Sequence, residues 1–185
     1  MSWEKLNQTW HYVEKWAKTR PDADALVFGE ERLTWRQFKE QMDAIARAYL
    51  EVGIEKGDRI ALLAMARNEF LTTYMAAGKV GAIWLGLSPK FTIDELRYQL
   101  NDCQPKMLIT LREYMESDLS QTVQTLQREC PFLKKVLVIG ETFEGTENFS
   151  GFIGKSRPEF VAALGQRAAT IKEEDDALLL YTSGS

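Results

Sequence analysis

Apolar residues recur along this chain in two rhythms, and the switches between them mark out the elements. Trp3, Leu6, Trp10, Val13 and Ala17 follow one another at three- and four-residue steps, the spacing of one helix face, and Pro21 lies just past its expected end. Two short apolar pieces, Ala25–Phe28 and Arg32–Thr34, flank Gly29-Glu30-Glu31 and predict a small hairpin. The helical rhythm then returns. Trp35, Phe38, Met42, Ile45 and Tyr49 form one stripe, Thr34 and Gln37 stand at capping-box spacing, and Gly53 supplies a left-handed stop.

From Arg59 the pattern becomes a repeating unit. Arg59–Met65 is apolar on both alternations, which suits a strand covered on both faces. Asn68 can cap a helix through Val80, Ala82–Leu87 reads as the next strand, and Ser88-Pro89 as a turn. Thr92 and Glu95 make a second capping box, with Phe91 and Leu96 placed as a hydrophobic staple, opening a helix to about Asn101. Lys106–Thr110 is expected as a strand, Glu113–Glu129 as one helix, and Val136–Ile139 as a strand. Gly140–Ser156 reads as a polar loop, Pro158 opens a short helix to Leu164, and Ala177–Thr182 is expected as a final buried strand. Alternation of this kind predicts an α/β fold: a mostly parallel sheet with helices on both faces. The order of the strands is not set by the pattern.

Composition narrows the function classes. The chain has 185 residues, 45% hydrophobic and 27% charged, with a formal net charge of -4. That balance and the lack of a basic run argue against nucleic acid as a partner, since phosphate binding requires clustered cations. No stretch approaches the length of a transmembrane span, and charges interrupt the first apolar segment where a signal peptide would be continuous. Cys103 and Cys130 show no metal-ligand spacing and suggest free thiols in a reducing cytoplasm. His11 is the only histidine, so a triad built on histidine is excluded within the chain, and its expected place is the helix surface. Gly154-Lys155-Ser156 imitates the end of a nucleotide-binding phosphate loop, but Phe149 stands where that motif needs its first glycine. The run Glu173–Asp176 reads as a solvated face rather than a metal site. Among the tryptophans, which are expected in cores, Trp84 lies toward a strand's end and is the one to inspect for a ligand contact.

The chemistry-bearing segment is Leu178-Leu179-Leu180-Tyr181-Thr182-Ser183-Gly184-Ser185. A strand leads directly into small hydroxyl residues and a glycine, and ligands of open α/β sheets bind beyond the carboxyl ends of strands. Glycine lets backbone amides close on an anion, while hydroxyls donate to phosphate oxygens or ligate magnesium. The bland alternative is an ordinary polar turn, and the residues alone leave both open.

Tyr181-Thr182-Ser183-Gly184-Ser185 resembles the first half of the Tyr-Thr-Ser-Gly-Ser/Thr-Thr-Gly-x-Pro-Lys-Gly signature of the adenylate-forming, AMP-binding superfamily. The resemblance continues upstream: Leu33-Thr34-Trp35-Arg36-Gln37-Phe38 is similar to a Leu-Thr-Tyr-x-Glu-Leu helix entry, and Gly57-Asp58-Arg59-Ile60-Ala61 to Gly-Asp-Arg-Val-Ala. Lys79-Val80-Gly81-Ala82-Ile83 followed by Leu87-Ser88-Pro89 through Leu96 resembles a Lys-x-Gly-Ala-x-x-x-Pro-Leu-Asn-Pro-x-x-Thr-x-x-Glu-Leu block. Gly86 stands there in place of the first proline and Ser88 in place of the asparagine, a change expected to loosen the strand exit.

The resemblance implies the N-terminal part of the large domain of an acyl-CoA synthetase, residues 1–185, with the small C-terminal domain absent. It assigns Thr182, Ser183, Gly184 and Ser185 to the β- and γ-phosphates of ATP, and Thr182 also to Mg2+. The implied reaction activates a carboxylic acid, expected to be a fatty acid, as its acyl-adenylate and passes it to coenzyme A. The signature lysine and the segments that hold adenine and acyl chain lie beyond Ser185 in this pattern, so no catalytic residue is assigned and the chain alone is expected to be inactive. Self-association through surface uncovered by truncation is a further expectation. The competing functions are an adenylation domain loading a carrier protein and a non-enzymatic α/β binding module.

Overall fold

The computed structural model describes residues 5–155 and 157–181. Helix α1 (Thr9–Thr19) precedes a hairpin of β1 (Asp24–Phe28) and β2 (Glu31–Thr34), which leads into α2 (Trp35–Glu51). The repeating part follows as β3 (Arg59–Leu63), α3 (Asn68–Val80), β4 (Ile83–Leu87), α4 (Ile93–Cys103) and β5 (Met107–Leu111). A short excursion, β6 (Glu113–Tyr114) and β7 (Ser117–Asp118), precedes α5 (Ser120–Glu129) and β8 (Lys135–Ile139). The chain closes through β9 (Glu147–Asn148), α6 (Phe149–Ile153), α7 (Phe160–Ala168) and β10 (Leu178–Leu179).

The six-stranded sheet runs β10-β4-β3-β5-β8-β9, with every pairing parallel. Alternation within each strand divides the core in two. Ile60, Leu62, Trp84, Met107, Ile109 and Leu137 face one side, packed against α1, α2, α3, α6 and α7. Ala61, Leu63, Leu85, Leu87, Leu108 and Val136 face the other, against α4 and α5. The expected two-sided burial of the β3 segment follows from this placement, since β3 lies inside the sheet between β4 and β5. Both expected capping boxes form: Thr34 Oγ1 accepts from Gln37 N while Gln37 Oε1 accepts from Thr34 N, and Thr92 and Glu95 do the same.

Four expectations are corrected. Glu113–Glu129 is not one helix. Its first six residues fold into the β6–β7 hairpin, pairing Glu113 with Asp118 and Tyr114 with Ser117, and Met115 turns with φ +55°. Leu119 N donates to Arg112 O at 2.8 Å across the hairpin's base, and the Asp118 carboxylate accepts Ser120 N at 2.7 Å, starting α5 afresh. Gly140–Ser156 holds structure as well: Asn148 caps α6 through Gly151 N at 2.7 Å, and Phe149 and Phe152 bury one turn apart. Phe152 in the core also removes any resemblance to a phosphate loop at Gly154-Lys155. Asn68 does not cap α3. Arg67 holds that position with no side-chain bond to the helix's first amides, and the Asn68 amide donates to Glu31 at 3.1 Å. Finally, β10 is only a two-residue edge strand with no described strand on its outer side, Leu178 and the following Leu180 are 44% and 63% exposed, and Thr182 of the expected strand lies outside the described residues.

Two glycines are required by their surroundings. Gly81 ends α3 in the left-handed region at φ +74°, and a Cβ there would stand 2.6 Å from Ile171 Cδ1 and 3.0 Å from Lys56 Cγ. Gly81→Ala is expected to lower stability by about 1–2 kcal/mol, the left-handed cost for a residue with a Cβ. It should appear as a lower urea midpoint at unchanged slope, and an unmoved midpoint would contradict the assignment. Gly86 is tight for another reason. A Cβ would lie 2.9 Å from Trp84 Cζ3, because the indole folds back along its own strand over the position two residues on.

Candidate functional site

The strand order locates the functional end of the sheet. From β3 the chain crosses to β4 through α3 on one face, and from β4 it crosses to β5 through α4 on the other. Adjacent strands whose exits diverge to opposite faces open a crevice at their carboxyl ends, the usual ligand position in an open α/β sheet. The exits are in register, with Leu63 beside Leu87 on one side and Thr110 on the other.

Each of these three exits meets a cation almost at once: Arg67 after β3, Lys90 after β4 and Arg112 after β5. Arg67 is held by Glu69, with Nε and Nη2 at 2.7 and 3.2 Å from its two carboxylate oxygens. Arg112 pairs through Nη1 with the exposed Glu141 at 2.7 Å, and its Nε is buried without an acceptor among the described residues. Lys90 is exposed, with its amide turned to Ser88 Oγ at 3.2 Å. Two of these three cations are neutralised by carboxylates, which leaves the Lys90 ammonium as the one with no ion pair among the described residues. Sequence alone does not mark the three as site residues, because their common location depends on strand order. The signal available is positional: a basic residue within four places of the ends of β3, β4 and β5.

β10 runs parallel to β4 and points to this same end, with Leu179 beside Leu85. Its continuation is anchored at Tyr181, whose phenol donates to Asp102 Oδ2 at 2.6 Å and Gln99 O at 3.3 Å on α4. Burial, reinforced by the Asp102 carboxylate, pushes the Tyr181 phenol well above its ordinary range, so it stays a neutral donor. The expected phosphate-binding residues Thr182, Ser183, Gly184 and Ser185, with the magnesium assignment of Thr182, lie outside the described residues.

Other candidates resolve into structure. Trp84 is 1% exposed, with Phe70 and Tyr74 edge-on to it at 4.5 and 5.8 Å, and its Nε1 donates to Thr73 Oγ1 at 3.1 Å. It is a core residue rather than a ligand contact. Cys103 and Cys130 are free and buried, and burial pushes the Cys103 thiol up to about 11. Of the acidic run, Glu173 pairs with Lys5 and Asp175 with Lys56, and no three potential metal ligands cluster among the described residues. His11 is half-buried rather than on an open helix surface, its ring edge-on to Trp10 at 3.9 Å. No helix among the described residues is long and apolar enough to cross a membrane.

Comparison with known proteins agrees with this architecture. The family model described as AMP-binding enzyme matches residues 13–185. An acyl-CoA ligase, sidI, of Aspergillus fumigatus is 28% identical over 172 residues, covering 89% of this chain and 29% of its own length. A medium/long-chain-fatty-acid–CoA/3-oxocholest-4-en-26-oate–CoA ligase of Mycolicibacterium smegmatis is 30% identical over 172 residues, with the same shares of 89% and 29%. Among solved structures, the anthranilate CoA ligase AuaEII in complex with anthranoyl-AMP superposes with a TM-score of 0.84 at 25% identity, covering 96% of this chain and 32% of that one. The chain thus spans about three tenths of the length of these relatives. The family match, the parallel sheet and the residues at its carboxyl end converge: this chain belongs to the AMP-binding enzyme family.

Proposed function

We propose that the chain forms the N-terminal part of the large domain of an AMP-forming acid–thiol ligase, one that activates a carboxylic acid, a fatty acid in the first instance, and transfers it to coenzyme A. The observation that carries this is positional. Tyr181-Thr182-Ser183-Gly184-Ser185 follows β10, which runs beside β4 toward the crevice where the exits of β3 and β4 part. In this proposal the amides and hydroxyls of Thr182, Ser183, Gly184 and Ser185 receive the β- and γ-phosphates of ATP. Tyr181, tied to α4, fixes the root of that loop. Magnesium fits the donor chemistry, since hydroxyl and phosphate oxygens are the hard ligands it prefers, and Thr182 is the residue assigned to it. When bound, the metal supplies charge neutralisation on the phosphates. A carboxylate oxygen attacks the α-phosphorus and pyrophosphate leaves. The thiol sulfur of coenzyme A then attacks the acyl carbon, loses its proton, and AMP departs.

The test uses the polypeptide as its gene encodes it, in ATP–pyrophosphate exchange against a panel of straight-chain, branched and aromatic acids. Exchange that depends on one class of acid, followed by thioester formation with coenzyme A, is the expected result. An absence of acid-dependent exchange across the panel would remove the assignment. Transfer to a phosphopantetheinyl carrier protein and not to coenzyme A would replace the acceptor.

A further inference from the structure

A cleft of about 520 Å3 opens between α1, α2, α3 and α7. It lies at the opposite end of β4 from the crevice described above, because its Lys79 immediately precedes that strand's entry whereas Ser88 follows its exit. Its size falls within the range of small-molecule sites. One wall is apolar, built from Trp10, Val161, Leu164 and Ile171. The other carries charge that is cancelled at every point but one. Lys79 Nζ donates to Glu14 at 2.6 Å and to Asp43 at 2.7 Å, and Asp43 accepts a second bond from Lys39 at 2.6 Å.

The exception is Arg47. Carboxylates one turn before and one turn after an arginine are its natural partners on a helix, and α2 supplies both, Asp43 and Glu51. Both are taken. Asp43 is held by Lys39 and Lys79, and Glu51 accepts Nε of the buried Arg157 at 2.6 Å. Arg47 lines the cleft half-buried, with no hydrogen bond or ion pair among the described residues. In the same cleft Trp10 keeps a buried indole N–H that finds no acceptor among the described residues.

We propose that this cleft is a second binding site, which takes a small organic monocarboxylate: the carboxylate on Arg47, the apolar body against Trp10, Leu164 and Ile171. A guanidinium presents a planar fork matched to a carboxylate, and partial burial strengthens that pairing over one in open water. The apolar wall sets the preference for an organic body over a bare inorganic anion.

Calorimetric titration of the chain with benzoate, benzamide and inorganic phosphate tests this. Benzoate is expected to bind saturably, with benzamide and phosphate each weaker. Arg47→Gln should weaken benzoate at least about tenfold, the usual loss for a charge-assisted pair, at an unchanged thermal midpoint. Because loss of Arg47 could disturb α2, Val161→Asp supplies a second variant at a residue 58% exposed, which sets a carboxylate against the ligand and should weaken benzoate as well. Benzoate held elsewhere, including the crevice at the sheet's carboxyl end, would be indifferent to both substitutions. Absence of saturable benzoate binding, affinity unmoved in the variants, or phosphate binding as tightly as benzoate would each overturn the proposal.

Discussion

Truncating Trp84 to alanine is expected to lower the unfolding free energy by about 3–5 kcal/mol, the range for emptying a buried large aromatic site. The indole is closed in by Phe70 and Tyr74 and lies on the strand between β10 and β3, where neighbours on both sides limit collapse into the space left behind. Its N–H bond to Thr73 Oγ1 is lost as well, though Thr73 keeps its own donation to Glu69 O at 2.6 Å. Trp84→Phe should retain most of the packing and cost less than half as much. Urea unfolding of the three proteins decides the matter. A loss under 1 kcal/mol for alanine would mean that Trp84 is not the packing centre the structure makes it.

Lys79→Met should follow at about 3 kcal/mol, the lower end of the range for breaking a buried ion pair by removing one partner. The ammonium is 7% exposed and is shared by Glu14 and Asp43, themselves 35% and 15% exposed. Loss of Lys79 strands the better-buried Asp43, but Lys39 remains at 2.6 Å, which keeps the cost from rising further. Adding Asp43→Asn to Lys79→Met should recover part of the loss, since the stranded charge is then gone. If the single variant moves stability by less than 0.5 kcal/mol, the trio behaves like the pairs of an open surface, whose removal costs about that much or less.

Much of this architecture was legible in sequence, for identifiable reasons. β3, β4, β5 and β8 announce themselves because strands inside a parallel sheet are apolar on both alternations. α2 and α4 were marked by capping boxes that bond locally, independent of the rest of the chain. What escaped depended on few residues or distant ones. The β6–β7 hairpin pairs two residues on each side, and Met115, Leu119, Val123 and Leu126 keep helix-like spacing through it, so no periodicity separates it from α5. α6 contributes one turn, with Phe149 and Phe152 its only core residues. At the candidate site, the glycine-hydroxyl segment was visible because its residue types are unusual after a strand. The gathering of Arg67, Lys90 and Arg112 was not, because it exists only once β3 is known to lie between β4 and β5.

The contact between Trp84 and Gly86 ties two positions of one strand together. The indole occupies the volume that any side chain at position 86 would need, so the two sites are not free to mutate independently. A side chain at 86 therefore requires the Trp84 ring to swing aside or give way to a smaller one, so a substitution at either position is read in the background of the other.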